Sequence, residues 1–163
     1  MDNLHKPLTE VFKTAPLEAI PNQFNRGGKP NKSNQFLHLM LQEQYSVGYL
    51  SVTKILEVFG NDGRSPRQQL ENDRFNYWLI DRVKDPDTEI IIGYKLNVLH
   101  LSGVPEQDKE ARRLRRKELA EESLALARHG RKRELKALRE VTLANKACLQ
   151  SLGDAANDSN IDG

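Results

Sequence analysis

The chain has 163 residues, of which 37% are hydrophobic and 29% are charged, and its net charge at neutral pH is +2. This length suits one modest core with extensions better than two full domains. A single cysteine, Cys148, excludes an internal disulfide framework. The sequence has no apolar run long enough for a membrane span and no apolar stretch of the secretory kind near its N-terminus. We therefore expect a soluble, cytoplasmic protein that has no membrane partner.

The small net charge hides an uneven distribution along the chain. Residues 33–103 carry seven basic and nine acidic groups, whereas residues 104–152 carry 13 basic and eight acidic groups. Residues 153–163 contain three aspartates and no basic residue. Positive charge is therefore concentrated in residues 104–152, and an electrostatic interaction with a nucleic acid would begin there.

Residues 1–33 are predicted to form a flexible basic arm. They include most of the stretch NQFNRGGKPNKSN, which is rich in residue types that do not build a hydrophobic core. Paired glycines among basic residues are also typical of arms that follow a DNA minor groove. A disordered tether and a groove-binding arm therefore both remain open.

Residues 34–59 are predicted to contain two amphipathic helices. The first covers residues 34–47 and ends at Gly48, and its apolar residues recur at helical spacing: Phe36, Leu37, Met40 and Leu41. The second begins with Ser51 as its N-cap and ends at Gly60. Its apolar face consists of Val52, Ile55, Leu56 and Phe59.

A third helix is predicted after the turn NDGR. Ser65 would be its N-cap, Pro66 would occupy the first helical position, and Gln68 would complete a capping box. The helix is expected to run to about Phe75. Arg64 and Arg67 then lie at its N-terminal end.

The period of the sequence changes from helical to two after this helix. The stretches YWLIDRV and EIIIGYKL are rich in aromatic and β-branched residues, and the turn KDPDT separates them. This pattern predicts a β-hairpin that packs on the helices. Residues 34–103 are therefore expected to form a three-helix core with a β-wing. The fold class is mainly α with a small β-hairpin.

Residues 104–152 are predicted to form a long basic helix or a helical hairpin. Almost all of these residues favour helix, and Gly130 is the one expected break. A heptad begins near the end of the segment, at Leu135, Leu138, Thr142, Asn145, Leu149 and Leu152. Residues 135–152 would accordingly pack on the core, on a protein partner or on a second copy as a homodimer. Residues 153–163 are expected to be a disordered acidic tail.

The stretch from Val52 to Ile80 resembles the small winged helix-turn-helix proteins of bacteriophage and mobile elements. The residues that carry the resemblance are Phe59, Gly60, Arg64 or Arg67, Leu70, Trp78 and Ile80. The resemblance implies a winged helix-turn-helix core and a function in DNA binding and transcription regulation. Asp73 and Tyr77 depart from the pattern, and the NDG turn is longer than in that family.

The resemblance and the charge distribution together define the candidate nucleic-acid-binding residues. The third helix would enter the major groove and present Arg64, Arg67, Gln68 and Asn72 to base edges or phosphates. The wing would reach the adjacent backbone through Arg82 and Lys84. The basic helix would add non-specific affinity through Arg112, Arg113, Arg115, Arg116, Lys117, Arg131, Lys132 and Arg133.

No catalytic centre is predicted, and no metal or cofactor site. The stretch DPDTEIIIGYK is similar to a nuclease motif, but Gly93 stands where the second metal-binding acid is needed, two residues before Lys95. The four histidines are scattered without ligand spacing. His100 is interpreted as an ordinary residue at an element boundary.

The leading hypothesis is a non-enzymatic protein that binds double-stranded DNA as a phage or mobile-element regulator. One alternative is a protein-interaction adaptor in phage replication, in which the long helix docks a partner. A second alternative is an RNA-binding protein with an arginine-rich helix. The basic segment would also suit a solvated helix face, a membrane surface or an acidic protein partner.

Overall fold

A computed structural model of the chain describes residues 11–158. Residues 1–10, which begin the predicted arm, and residues 159–163, which end the predicted tail, lie outside the described residues. The internal contacts divide the chain into two units. The first ends at Leu119 and the second begins at Ala120.

The first unit combines short helices with a three-stranded antiparallel sheet. Its elements are α1 (Lys32–Val47), β1 (Leu50–Ser51), α2 (Val52–Phe59), α3 (Arg64–Glu71), β2 (Ile80–Lys84), β3 (Ile91–Leu96), α4 (Val98–Leu101) and the first part of α5 (Pro105–Asp158). Three 3-10 turns occur at Leu17–Ala19, Gly60–Gly63 and Asp73–Phe75. The protein is thus mostly helical, as predicted, and the predicted hairpin is part of a larger sheet.

The ends of α1 and α2 follow from local chemistry. The side chain of Asn31 accepts a hydrogen bond from the backbone N–H of Ser33, at 3.1 Å, and starts α1 two residues earlier than predicted. Gly48 ends α1 with φ of 99°. Ser51 caps α2 by accepting from the N–H of Lys54, at 3.1 Å, and this prediction is confirmed.

The predicted start of α3 is wrong. The helix begins at Arg64, its N-cap is Gly63, and no side chain caps it. Ser65 and Pro66 therefore lie inside the first turn, because the 3-10 turn Gly60–Gly63 leads directly into the helix. The helix also ends at Glu71 and not near Phe75.

The sheet has the strand order β1-β3-β2, with both pairings antiparallel. The two-residue strand β1 was not predicted, because it is too short to show a period of two. Leu50 pairs with Tyr94, and Ser51 pairs with Gly93. Gly93 allows this close approach, since a Cβ at that position would overlap the ring of Tyr49.

Part of the predicted flexible arm belongs to the hydrophobic core. Val11, Ala15 and Ala19 are buried and join the core cluster. The indole Nε1 of Trp78 donates a hydrogen bond to the carbonyl oxygen of Ala19, at 2.8 Å. Residues 11–21 therefore pack on the core, which corrects the predicted boundary at residue 33. Trp78 is fully buried.

The helix α5 is continuous from Pro105 to Asp158. Gly130 does not break it, and the helix includes residues 153–158 of the predicted disordered tail. Residues 105–119 belong to the first unit, and Ala111 and Leu119 there are at least partly buried. The second unit is helical through Asp158, and each described side chain from Ala120 to Ala155 is exposed.

Candidate nucleic-acid interface

A surface groove of about 430 Å³ lies between α2, the start of α3 and the β2–β3 hairpin. The close approach of α2 and α3 depends on Gly63, because a Cβ at that position would overlap the Cγ2 atom of Ile55. Three arginines from two elements line the groove: Arg64, Arg67 and Arg82. We call this site the arginine groove.

Arg64 and Arg82 are the two exposed arginines of the groove. Arg64 is the first residue of α3, and Arg82 lies in the middle of β2, where it pairs with Tyr94. The sequence prediction placed both in a nucleic-acid interface, and the fold brings both to one groove. No carboxylate occurs among the described residues that line it.

Arg67, unlike Arg64 and Arg82, is buried. Its Nη1 lies 2.6 Å from Oε2 of Glu71, and both side chains are buried. Its guanidinium carbon stacks over the ring of Tyr94, 4.7 Å from the ring centroid. The guanidinium held in this way lies at the groove. The sequence placed Arg67 at base edges or phosphates, and in the structure this side chain is buried by its contacts with Glu71 and Tyr94.

Gln68 and Asn72, the other two predicted binding residues near α3, differ in their exposure. Gln68 is exposed, one helical turn after Arg64. Asn72 is half-buried and ends α3, and its side chain accepts from the N–H of Arg74 at 3.0 Å. Asn72 thus caps the following 3-10 turn and is not a residue of the helix face.

Lys84 is the last residue of β2 and lies next to the hydrogen-bonded turn of the hairpin. Lys84 is exposed and pairs with Ile91 at the end of the ladder. The side chain of Asp85 accepts from the N–H groups of Asp87 and Thr88, at 2.8 and 3.1 Å. The bonds from Asp87 and then Thr88 stabilise the carboxylate and lower the pKa of Asp85. The turn therefore keeps a fixed negative charge beside Lys84.

Two carboxylates of residues 33–103 pair with cations, and a third accepts hydrogen bonds from an amide. Glu71 pairs with Arg67 in the interior. Asp62 lies 2.9 Å from the Nζ of Lys32 at the surface. Both carboxylate oxygens of Asp81 accept from the side-chain amide of Asn97, at 3.1 Å. Residues 33–103 carry a net charge of −2, but no Asp or Glu occurs among the described residues that line the arginine groove.

Two arginines of the basic helix are buried, contrary to their predicted role. Arg112 donates to Asp108, at 2.8 Å, and to the carbonyl of Asn76, at 2.7 Å. Arg115 donates to the carbonyl of Glu71, at 3.3 Å. Both guanidinium groups are buried and join α5 to the core.

The neighbouring basic residues of α5 remain on the surface. Arg113 is exposed and lies 2.7 Å from Glu110. Arg116 is exposed, with its guanidinium carbon 5.8 Å from the ring centroid of Tyr77. Lys117 is also exposed. In the second unit, the predicted residues Arg131, Lys132 and Arg133 are exposed as well.

The fold contains a buried polar cluster that the sequence did not indicate. His100 is fully buried, its Nε2 accepts from the N–H of Leu79 at 3.0 Å, and its Nδ1 lies 2.7 Å from Oδ1 of Asp108. The bond from Leu79 requires that the proton sits on Nδ1, which then donates to Asp108. Arg112 covers the ring of Trp78 at 4.2 Å and completes the cluster.

Burial and hydrogen bonding set the protonation states in this cluster. Burial lowers the pKa of His100, and the bond to Asp108 opposes that effect only in part. Burial alone would raise the pKa of Asp108, but the bonds from His100 and Arg112 outweigh it, so the pKa is lowered. A neutral imidazole, a carboxylate and a guanidinium result. The Asp108–Arg112 pair is the only part of the cluster with a helical spacing in the sequence.

Neither a metal site nor a membrane span is found in the part of the chain that the structure describes. No group of three or more His, Cys, Asp or Glu side chains there is arranged to hold a metal ion. No helix among the described residues combines the length and apolarity needed to cross a membrane. No protein-family model matches the sequence, and comparisons with curated proteins and with solved structures give no significant match.

Proposed function

We propose that this protein binds double-stranded DNA through a winged helix-turn-helix core, and that the basic helix α5 adds non-specific affinity. In this proposal α2, the turn Gly60–Gly63 and α3 form the helix-turn-helix, and the β2–β3 hairpin is the wing. Regulation of a phage or mobile element is the proposed context, from the sequence resemblance described above.

The order of the elements supports the proposed core. A helix, a short strand, two helices joined by a tight turn, and a hairpin follow one another from α1 to β3. The short strand β1 joins the edge of the hairpin, which gives the order β1-β3-β2. In a helix-turn-helix the second helix of the pair enters the major groove with its N-terminal residues at the bases. That helix is α3.

The observation that carries the proposal is the position of Arg64 and Arg82 in one groove. They come from α3 and from the hairpin, both are exposed, and no carboxylate occurs among the described lining residues. Arginine binds phosphate and guanine through a planar pair of donors. Two such groups beside the start of α3 suit a duplex that contacts the helix and the hairpin together.

The proposed contacts with DNA are of two kinds. Arg64 and Gln68 lie one turn apart on the exposed side of α3, and we assign them to base edges in the major groove. Arg82 and Lys84 on the hairpin are assigned to the phosphate backbone, which positions the protein without reading sequence. Arg67 stabilises this surface from the interior, because it stacks on Tyr94 and pairs with Glu71.

The basic residues of α5 supply affinity that is independent of sequence. Each phosphate that a cation neutralises releases counterions from the duplex, and entropy favours this release. Exposed residues suited to this role are Arg113, Arg116, Lys117, Arg131, Lys132 and Arg133. Arg112 and Arg115 are not included, because both are buried.

The proposal is tested by fluorescence anisotropy with a labelled random-sequence DNA duplex, titrated at several salt concentrations. The same titration with an RNA duplex and with single-stranded RNA is the comparison. Binding to DNA with a steep salt dependence is expected. Tighter binding to RNA would favour the RNA-binding alternative. Absence of binding to every nucleic acid would leave the protein-interaction adaptor, which the exposed leucines of the second unit favour.

A further inference from the structure

The second unit carries an apolar stripe for which the described residues provide no cover. The stripe consists of Leu135, Leu138, Val141, Leu149 and Leu152, each between 50% and 69% exposed. These residues share one side of α5, because their spacing follows the helical repeat. Isolated helices of this kind are marginal in water, and most of their stability comes from packing of an apolar face.

We propose that this stripe pairs with the same stripe of a second copy, as a short, parallel, in-register coiled coil formed by residues 134–152. This inference does not depend on DNA binding. The core positions of the heptad run along the same side of the helix, so Thr142 and Asn145 lie among the apolar residues of the stripe: Leu135, Leu138, Thr142, Asn145, Leu149 and Leu152.

The charges beside the stripe select the parallel orientation. Three basic residues recur every seven positions on one flank of the heptad: Lys132, Arg139 and Lys146. In an antiparallel pair this flank faces its own copy, so cations would lie opposite cations. In a parallel pair it faces the other flank, where Glu134 is placed opposite Arg139 of the second copy. The parallel orientation therefore forms the Glu134–Arg139 pair and avoids placing the basic flank opposite itself.

The polar residues within the stripe suit the same arrangement. The hydroxyl of Thr142 donates to the carbonyl of Leu138 in its own helix, at 2.9 Å, so it is satisfied without a partner. Asn145 has both a donor and an acceptor in its amide group. Across a parallel in-register seam Asn145 lies opposite Asn145 of the second copy, and the two amides satisfy each other. An apolar partner would leave this amide unsatisfied.

The same heptad explains where the pairing ends. The preceding core positions are occupied by Arg128 and Arg131, and arginines that face each other across a seam repel. The two helices are therefore expected to separate before Glu134. Pairing thus places two copies of the basic segment 128–133 at the end of the seam, related by twofold symmetry.

The first test measures the self-association of the full chain by sedimentation equilibrium across the micromolar range. Leu138→Asp should weaken association by about tenfold or more, because it places two carboxylates in the seam. Leu143→Asp is the matched control. Leu143 is 67% exposed on the same helix but lies about 140° away from Leu138 around its axis. A monomeric wild-type chain, or equal effects of the two variants, would overturn the proposal.

The second test determines orientation. In a Cys148→Ser background, Leu138→Cys should form a covalent dimer on oxidation with diamide, because parallel in-register pairing places this position opposite itself. Leu143→Cys should remain monomeric under the same conditions. Rapid cross-linking of Leu143→Cys, or none of Leu138→Cys in a chain that still self-associates, would rule out the parallel register. Loss of DNA binding with intact pairing would count against the proposed function and not against this inference.

Discussion

The imidazole Nδ1 of His100 lies 2.7 Å from Oδ1 of Asp108, and both side chains are buried. His100 belongs to α4 and Asp108 to the first turn of α5. The contact therefore connects α4 to the basic helix α5. Asp108 also pairs with Arg112, one turn later in α5. The residues at the start of α5 thus belong to the core, and a fragment that ends at Val104 would lose four buried residues: Asp108, Ala111, Arg112 and Arg115.

Replacement of Arg112 by alanine is expected to destabilise the first unit by about 3–5 kcal/mol. The substitution leaves the buried carboxylate of Asp108 without its charged partner. Urea unfolding followed by the fluorescence of Trp78, the single tryptophan, measures the change. The control is Arg113→Ala, because Arg113 is exposed and its ion pair with Glu110 is worth about 0–1 kcal/mol. Similar costs for both variants would contradict the role of the cluster.

The stability of the first unit is expected to fall as the pH falls below about 6.5. Burial lowers the pKa of His100 from the ordinary value of 6.5, so the unfolded chain binds a proton more readily than the folded chain. The contribution is fully present above 6.5 and is lost as the pH approaches the lower, folded-state pKa. His38, half-buried beside Phe12, has a pKa that is lowered by burial and acts in the same direction.

Urea unfolding of the wild type and of His100→Gln, measured between pH 7.5 and pH 5.5, tests this dependence. The variant should be less stable at neutral pH but should lose less stability on acidification. The control variant is His129→Gln, which replaces an exposed histidine of the second unit. An unchanged slope in His100→Gln would show that this histidine is not responsible. Asp108 has a lowered pKa, so its own contribution is lost only at more acidic pH, below 3.8.

Arg67 is expected to act on stability rather than directly on DNA affinity. Arg67→Met should cost about 3–5 kcal/mol, because it removes the cation that lies 2.6 Å from the buried carboxylate of Glu71. The double variant Arg67→Met/Glu71→Leu should be more stable than the single variant, since it removes both charges together. Gln68→Ala, on the exposed neighbour, should change stability by no more than about 0.5 kcal/mol. If the Arg67→Met protein is stable but binds DNA more weakly, Arg67 contacts DNA directly and this prediction is wrong.

Trp78→Phe is expected to loosen the packing of residues 11–21. The substitution removes the hydrogen bond from Nε1 to Ala19, which is worth about 0.5–1.5 kcal/mol, while it retains an aromatic ring. Trp78→Ala should cost about 3–5 kcal/mol, because it also creates a cavity. Thermal melts followed by circular dichroism measure both. Limited trypsin digestion should cleave the Trp78→Phe variant faster at Lys13, and unchanged cleavage there would contradict this coupling.

Removal of both exposed groove arginines is expected to weaken DNA binding without unfolding the protein. Because Arg82 is assigned to a phosphate and Arg64 to a base edge, Arg64→Ala/Arg82→Ala should lower the affinity and reduce the slope of log affinity against log salt by about one. The matched control removes two exposed cations of the same unit that do not line the groove, in Arg74→Ala/Lys29→Ala. Equal losses in the two double variants would show that only overall charge matters and that the groove is not the binding site.

Local patterns in the sequence were sufficient to predict several elements. The cap at Ser51, the stop at Gly60 and the hairpin with its turn all depend on neighbours within a few residues, and the structure agrees with these three predictions. The burial of Trp78 also follows from its position at the start of the hairpin. The predicted start of α3 was wrong, because the 3-10 turn Gly60–Gly63 leads into the helix before the capping pattern at Ser65.

Only the tertiary structure decided which arginines are available to a partner. Arg64 and Arg67 are three residues apart and equally charged, yet one is exposed and the other is buried against Tyr94, which is 27 positions later in the chain. Arg112 and Arg113 are adjacent, and only Arg112 reaches Trp78 and Asn76. Helical periodicity reports the direction of a side chain from its own helix, but not what packs over it. Composition determined that this chain has a basic segment, and long-range packing determined which of its charges stabilise the fold.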